Sequence, residues 1–145
     1  MIVLDTDHIS VLQHAESANA AQLQQRLIGH LSPVVTTAVT LEEQSRSWIS
    51  LIGRQSDVEH QVVWYDRLIL MFAFFAEWEV LPFDTDAAMC FKELRKHRVR
   101  IAPTDLKIAA IALVNDATLL TANTRDFERV PGLQFESWLS PTTDQ

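Results

Sequence analysis

Short β-branched runs alternate with longer helix-forming stretches along this chain, and acidic residues stand where run gives way to helix. The first run is Ile2-Val3-Leu4, followed at once by Asp5-Thr6-Asp7-His8. Three apolar residues rich in β-branching are too few for a helix and read as a buried strand. Further strands are expected at Pro33-Val34-Val35-Thr36-Thr37, Val80-Leu81-Pro82-Phe83, Ala117-Thr118-Leu119-Leu120-Thr121 and Gln134-Phe135-Glu136. Strands separated by helices predict one α/β domain: a mostly parallel sheet of four or five strands in a three-layer α/β/α sandwich. In such sheets ligands bind beyond the carboxyl ends of the strands.

A length of 145 residues with 48% hydrophobic content suits a single core. Residues 1–140 are expected to form that domain and 141–145 a polar tail. With three glycines and five prolines, helix should outweigh strand. The lone cysteine, Cys90, excludes an internal disulfide and a thiolate zinc cage. The longest apolar run, 68–76, falls short of the roughly 20 residues of a membrane span, and acids stand where a signal peptide is basic. A cytoplasmic protein with no membrane contact is expected. The net charge of −7 opposes broad attraction to nucleic acid, but acids gathered around divalent cations also count toward it.

Helices are expected at 8–14, capped by Asp7 or Thr6, and at Ala18–Ile28, closed by Gly29. Thr40 and Glu43 stand in capping-box spacing at the start of a helix running to Gly53. Between 57 and 77, Val58, Val62, Tyr65, Ile69, Phe72 and Ala76 form one apolar stripe, and Trp64, Leu68, Met71 and Phe75 a second. A helix apolar on most of its circumference is either internal or shared with another chain, and in so small a domain a shared surface is expected. Asp84-Thr85-Asp86 would cap a helix over 87–96, and Thr104 or Asp105 one that starts at Pro103. Lys92, Arg95, Lys96, Arg98 and Arg100 put five of twelve cations within nine positions. That cluster is either a solvated helix end or a phosphate contact.

Asp5, Asp7, Glu42, Glu43, Asp105 and Asp126 all fall at strand-to-helix transitions, which a parallel sheet brings to one edge. Singly, each has a structural explanation as a cap or a first-turn acid. Together they repel: two carboxylates about 5 Å apart cost roughly 3 kcal/mol at an effective dielectric of about 20. A divalent cation offsets that repulsion, and oxygen-only donors favour Mg²⁺ or Mn²⁺. The five histidines show no ligand spacing, with His8 the one to watch.

Four segments taken in order carry a resemblance: Ile2-Val3-Leu4-Asp5-Thr6-Asp7, Val39-Thr40-Leu41-Glu42-Glu43-Gln44, Asp105-Leu106-Lys107-Ile108-Ala109-Ala110, and Leu120-Thr121-Ala122-Asn123-Thr124-Arg125-Asp126-Phe127. They resemble the four motifs of the PIN-domain ribonucleases, most closely the VapC-type toxins of prokaryotic toxin–antitoxin pairs. The resemblance implies a metal-dependent endoribonuclease that leaves a 5′-phosphate and a 3′-hydroxyl. It implies one or two Mg²⁺ or Mn²⁺ ions on Asp5, Glu43 and Asp105, with Glu42 turned away because adjacent helical residues diverge by about 100°. Asn123 stands where many relatives carry aspartate; it can still offer a carbonyl oxygen or position water in the catalytic site, and Asp126, three residues on, is the candidate to supply the missing charge. Thr6, Thr121 and Thr124 are candidates to orient water or phosphate, and Arg95, Lys96, Arg98 and Arg100 to contact RNA. An antitoxin and a second copy of the chain are the implied protein partners. Asp7 is expected to act as a cap with an outer role.

Two other readings remain at this point. A haloacid-dehalogenase-like phosphatase also opens with a strand and Asp-x-Asp, with Asp5 as nucleophile and Asp7 as acid, but the late Gly-Asp-x-x-x-Asp pattern is missing. A PIN-like module reduced to binding is the other, motivated by Asn123.

Overall fold

The computed structural model describes residues 1–139. Five strands appear: β1 (Ile2–Leu4), β2 (Val34–Thr37), β3 (Val80–Leu81), β4 (Thr118–Leu120) and β5 (Gln134–Glu136). They form one sheet in the order β3-β2-β1-β4-β5, every neighbouring pair parallel. The five-stranded form of the expectation is the one realised. Ile2 lies opposite both Val34 and Thr118, so the first strand is central. The chain builds outward to β3 on one side, then crosses β1 to place β4 and β5 on the other. That reversal opens a crevice at the carboxyl ends of β1 and β4, where ligands bind in sheets of this kind. The tail at 141–145 lies outside the described residues.

Side chains on a strand alternate between faces, and β1 shows it. Ile2 and Leu4 pack with Ile9 and Leu12 of α1 (Thr6–Gln13), Leu23 of α2 (Ala18–Ile28), and Met71 and Phe75 of α4 (Val62–Ala76). Val3 points the other way, into the core shared with Leu94 of α5 (Thr85–Lys96) and with α6 (Pro103–Val114). Between α2 and α4 the chain forms α3 (Ala38–Gly53), which feeds Val39 into one core while Leu41 and Trp48 pack on the other. The three expected layers are therefore present. Leu106, Ile108 and Ile111 of α6 are essentially fully buried, each worth roughly 1.5–3 kcal/mol.

Several helix starts differ from expectation, for a common reason. Helix α1 begins at Thr6 with Asp5 as its cap, since the Asp5 carboxyl accepts the Thr6 N–H at 2.7 Å; neither Asp7 nor Thr6 caps. Helix α3 begins at Ala38, because the Thr37 hydroxyl accepts the Thr40 N–H at 3.1 Å. The Thr40–Glu43 capping box is absent. Helix α6 starts at Pro103 after an Ala102 cap, so neither Thr104 nor Asp105 serves as the cap. Asp84 does cap α5, at 2.9 Å from the Ala87 N–H, two residues ahead of the expected start. Residues 57–77 divide into a 3₁₀ turn at Val58–Gln61 and α4. Glu43 and Asp105 thus sit inside helices, with no capping duty.

Two helices close on left-handed residues. After α5, Arg98 has φ 63°, with Arg98 N–H donating to the Arg95 carbonyl and Val99 N–H to that of Leu94. After α6, Asp116 takes the same role at φ 50°. Aspartate tolerates this conformation, whereas a side chain such as arginine gives up about 1 kcal/mol there relative to glycine.

On α4, Met71 and Phe75 are buried, while Val62, Tyr65, Ile69 and Phe72 are each more than half exposed. One of the two expected stripes is therefore core, and the other remains on the surface. No helix among the described residues is long and apolar enough to cross a membrane.

Candidate active site

The switch-point crevice collects the acids. Asp5 leaves β1 only 5% exposed, held by the Thr6 N–H on one carboxyl oxygen and by the Thr121 hydroxyl, at 2.8 Å, on the other. Thr121 follows β4 and is itself fully buried, its oxygen accepting the Asn123 N–H at 3.1 Å. The expectation that Thr121 orients substrate is corrected, because a 0%-exposed hydroxyl committed to Asp5 cannot reach RNA.

Glu43 arrives from α3 on the second turn. Its Oε2 accepts the Thr6 hydroxyl at 3.2 Å. Thr6 therefore clamps two acids, its N–H to Asp5 and its hydroxyl to Glu43, and does not stand free for phosphate as expected. Glu43 Oε1 is buried with no hydrogen-bond partner among the described residues. Glu42 turns outward, as the helical angle requires, and pairs with Arg46 at 3.0 Å.

Asp105 comes from the first turn of α6, and Asn123 from the loop after β4, as the cap of α7 (Thr124–Phe127). The Asn123 Nδ2 lies 3.0 Å from Asp126 Oδ2 and 3.5 Å from Asp105 Oδ2. Two carboxylate oxygens can face only the nitrogen end of the amide, so Asn123 donates here rather than offering its carbonyl. It spaces two acids.

The electrostatics record the crowding. Burial, then the charge of Asp7, pushes the Asp5 carboxyl up to about 7, with Asp105 adding to the rise. Glu43 is raised by burial and by Asp105. Asp105 is raised by burial, then by Asp126 and Asp7. Carboxyl groups that raise one another in a buried crevice attract a proton or a cation. Among the described residues no three Asp, Glu, His or Cys side chains are drawn together as a set that could hold a metal ion. The donors nonetheless fit a hard divalent cation, being all oxygen with one buried oxygen unpartnered.

Asp7 has a different task. Its Oδ2 accepts the Ala122 N–H at 2.8 Å and its Oδ1 lies 2.5 Å from His8 Nδ1. His8 is fully buried, and its Nε2 accepts the Trp138 N–H at 3.1 Å, so the ring proton sits on Nδ1 and is given to Asp7. This chain ties the loop after β4 and the C-terminal segment to the start of α1. Sequence singled out His8 but offered no partner, because Trp138 lies 130 residues away.

Arg95, Arg98 and Arg100 line a cleft that also takes in Asp126. Lys96 is exposed but does not line it. Arg129, which nothing in the local sequence marked, does.

The chain is similar in sequence and fold to known proteins. Residues 2–133 match the PIN domain family model. The tRNA(fMet)-specific endonuclease VapC of Salmonella typhimurium is 35% identical over 76 residues, covering 50% of this chain and 58% of that protein. The Ribonuclease VapC of Rickettsia bellii is 39% identical over 59 residues, covering 38% and 44%. The chain thus spans about half the length of the curated relatives it matches. Among solved structures, DNA-bound VapBC from Salmonella typhimurium superposes with a TM-score of 0.70 at 25% identity, covering 94% of this chain and 97% of that one. A central β1 ending in a buried aspartate, acids from α3 and α6 beside it, and a family match over nearly the whole described chain lead to one statement: the chain belongs to the PIN-domain family.

Proposed function

We propose that the chain is a divalent-metal-dependent endoribonuclease, the toxin of a toxin–antitoxin pair, acting in the cytoplasm. The observation that carries this is the convergence of Asp5, Glu43 and Asp105 at the switch-point crevice, with a buried Glu43 oxygen left unpartnered. The names of the relatives, ribonucleases and VapBC complexes, point the same way. Asp5, Glu43 and Asp105 would hold one or two Mg²⁺ or Mn²⁺ ions. When bound, the cation supplies Lewis-acid stabilisation of the charge that builds on the scissile phosphate. Thr6 and Thr121 fix the orientation of Asp5 and Glu43. Asn123 and Asp126 set the position of Asp105, and Arg95, Lys96, Arg98 and Arg100 would form the side to which RNA comes. Hydrolysis breaks the P–O3′ bond and gives 5′-phosphate and 3′-hydroxyl ends.

The test is cleavage of a panel of structured RNAs with Mg²⁺ or Mn²⁺, with chelator, and with an Asp5→Ala control. Metal-dependent cutting above that control is expected. RNA binding without cutting would instead favour the reduced binding module that Asn123 suggests.

Asn123 carries a further expectation. Asn123→Asp removes two hydrogen bonds and adds a third charge beside Asp105 and Asp126. In chelator the variant should melt several degrees lower than the parent, by about 1–2 kcal/mol. On adding Mg²⁺ its melting temperature should rise further than the parent's, a comparison read by scanning calorimetry. An equal rise would place Asn123 away from the ion.

The exposed stripe of α4, Val62, Tyr65, Ile69 and Phe72, is where the proposed second copy would sit. Light scattering at micromolar concentration should give a dimer, and Ile69→Glu a monomer. A parent that is already monomeric would remove the homodimer from this reading.

A further inference from the structure

At the end of α5, an open cleft of about 610 Å³ runs from Arg95, Arg98 and Arg100 to Arg129 beyond α7. None of these four arginines forms an ion pair among the described residues. Among the described residues the only acid lining the cleft is Asp126, and its Oδ2 already accepts from Asn123. Four guanidinium groups against one carboxylate, in a chain of net charge −7, repel one another unless an anion lies among them.

Two of the arginines, Arg95 and Arg129, are also held in place. Arg95 stacks over the Phe91 ring, 4.7 Å from its centroid. Arg129 Nη1 donates to the Arg100 carbonyl at 3.1 Å, which orients the guanidinium and leaves its other donors free. Arg98 occupies the left-handed position after α5, where glycine would be favoured, while α6 closes on an aspartate that tolerates it. Local stability does not account for arginine at that position. An orienting hydrogen bond and a ring stack fix guanidinium forks that match phosphate oxygens.

The cleft adjoins the acids through one side chain. Asp126 lines it, and the Asn123 amide that holds Asp126 also reaches Asp105. The arginine cleft thus borders the acids on the side of Asp126 and Asp105.

We propose that Arg95, Arg98, Arg100 and Arg129 form a phosphate subsite that grips an RNA backbone phosphate neighbouring the one to be cut. The subsite rests on the ribonuclease reading above, and sets the register of the strand across the acids. It carries no base information, since guanidinium-to-phosphate contacts are independent of sequence.

The test uses the full chain. Arg129→Gln and Arg98→Gly are compared with the parent in cleavage kinetics. Binding of a single-stranded RNA oligonucleotide is then measured by fluorescence anisotropy in the cleavage-deficient Asp105→Asn background, over a range of salt. Each substitution should raise KM and Kd about 5- to 10-fold while kcat changes little, the pattern of lost uniform binding. The slope of log affinity against log salt should become shallower in each variant, by up to about 0.7 where the phosphate contact is lost altogether. Arg98→Gly should melt at or above the parent temperature, which separates lost binding from lost folding. Unchanged KM and unchanged salt slope in both variants, with the parent cleaving RNA, would overturn the subsite and leave the ribonuclease reading intact. A parent that neither cleaves nor binds RNA would overturn that reading first, and the subsite with it.

Discussion

In chelator at pH 8, Asp5→Asn is expected to melt about 4–8 °C above the parent protein. The Asp5 carboxyl is 5% exposed and is pushed up to about 7, first by burial and next by the charge of Asp7. The direction of the effect follows from linkage. A folded-state value above the unfolded one means that the folded chain prefers Asp5 protonated. The stability this brings is fully present below the unfolded value of 3.8 and is lost as pH rises through about 7. At pH 8 the folded protein therefore carries a penalty of about 4 kcal/mol for ionised Asp5. Asparagine removes the charge and keeps the carbonyl that accepts the Thr6 N–H, and its amide can donate to the Thr121 oxygen. Rearranging the Thr121 contact returns part of the gain, so about 2 kcal/mol is the expected net effect. At pH 5, where the folded parent is mostly protonated at Asp5, the two proteins should melt closer together. Saturating Mg²⁺ should raise the parent by mass action and leave Asp5→Asn nearly unmoved. If Asp5→Asn melted below the parent in chelator at pH 8, Asp5 would not be the strained charge of this crevice.

The same residue shows what was legible beforehand and what was not. Strand spacing along the chain placed all five strands, since short β-branched or alternating apolar runs bounded by turn residues leave few alternatives. The hydrophobic stripe of α6 likewise foretold a helix pressed against the sheet. Helix starts were less legible, because Thr37, Thr40, Asp5 and Asp7 are all competent caps and local sequence does not choose among them. The choice depends on which hydroxyls the neighbouring strands bury. Glu43 could be separated from Glu42 by helical angle alone, and the outward ion pair with Arg46 agrees with that separation. The shift of Thr121 from substrate contact to support for Asp5 needed the parallel pairing of β1 with β4, a contact across 116 residues. Arg129 was missed for a similar reason. Its partner is the carbonyl of Arg100, 29 residues earlier, and only the packing of α7 beside the end of α5 brings the two together.

Asp105→Asn is expected to lower kcat for RNA cleavage by at least about 100-fold while leaving the fold intact. Outer partners of a metal ligand typically cost about 10- to 100-fold when removed, and a directly coordinating charge costs more. Helix α6 should survive the change, since Asp105 does not cap it: Pro103 begins the helix and Ala102 precedes it. Relieving a carboxyl raised by burial and by Asp126 should hold the melting temperature at or above the parent value. RNA affinity should be kept or improved, because one negative charge leaves the crevice that receives a phosphate. Lost turnover, retained binding and retained stability together isolate the carboxylate charge as the function of Asp105. Glu43→Gln should follow the same pattern, since its buried Oε1 has no protein partner to lose. Parent-like cleavage by Asp105→Asn, measured by gel on a substrate the parent cuts, would remove Asp105 from the metal site. The charge requirement would then pass to Asp126, the carboxylate that shares the Asn123 amide with it, and Asp126→Asn would become the variant without activity.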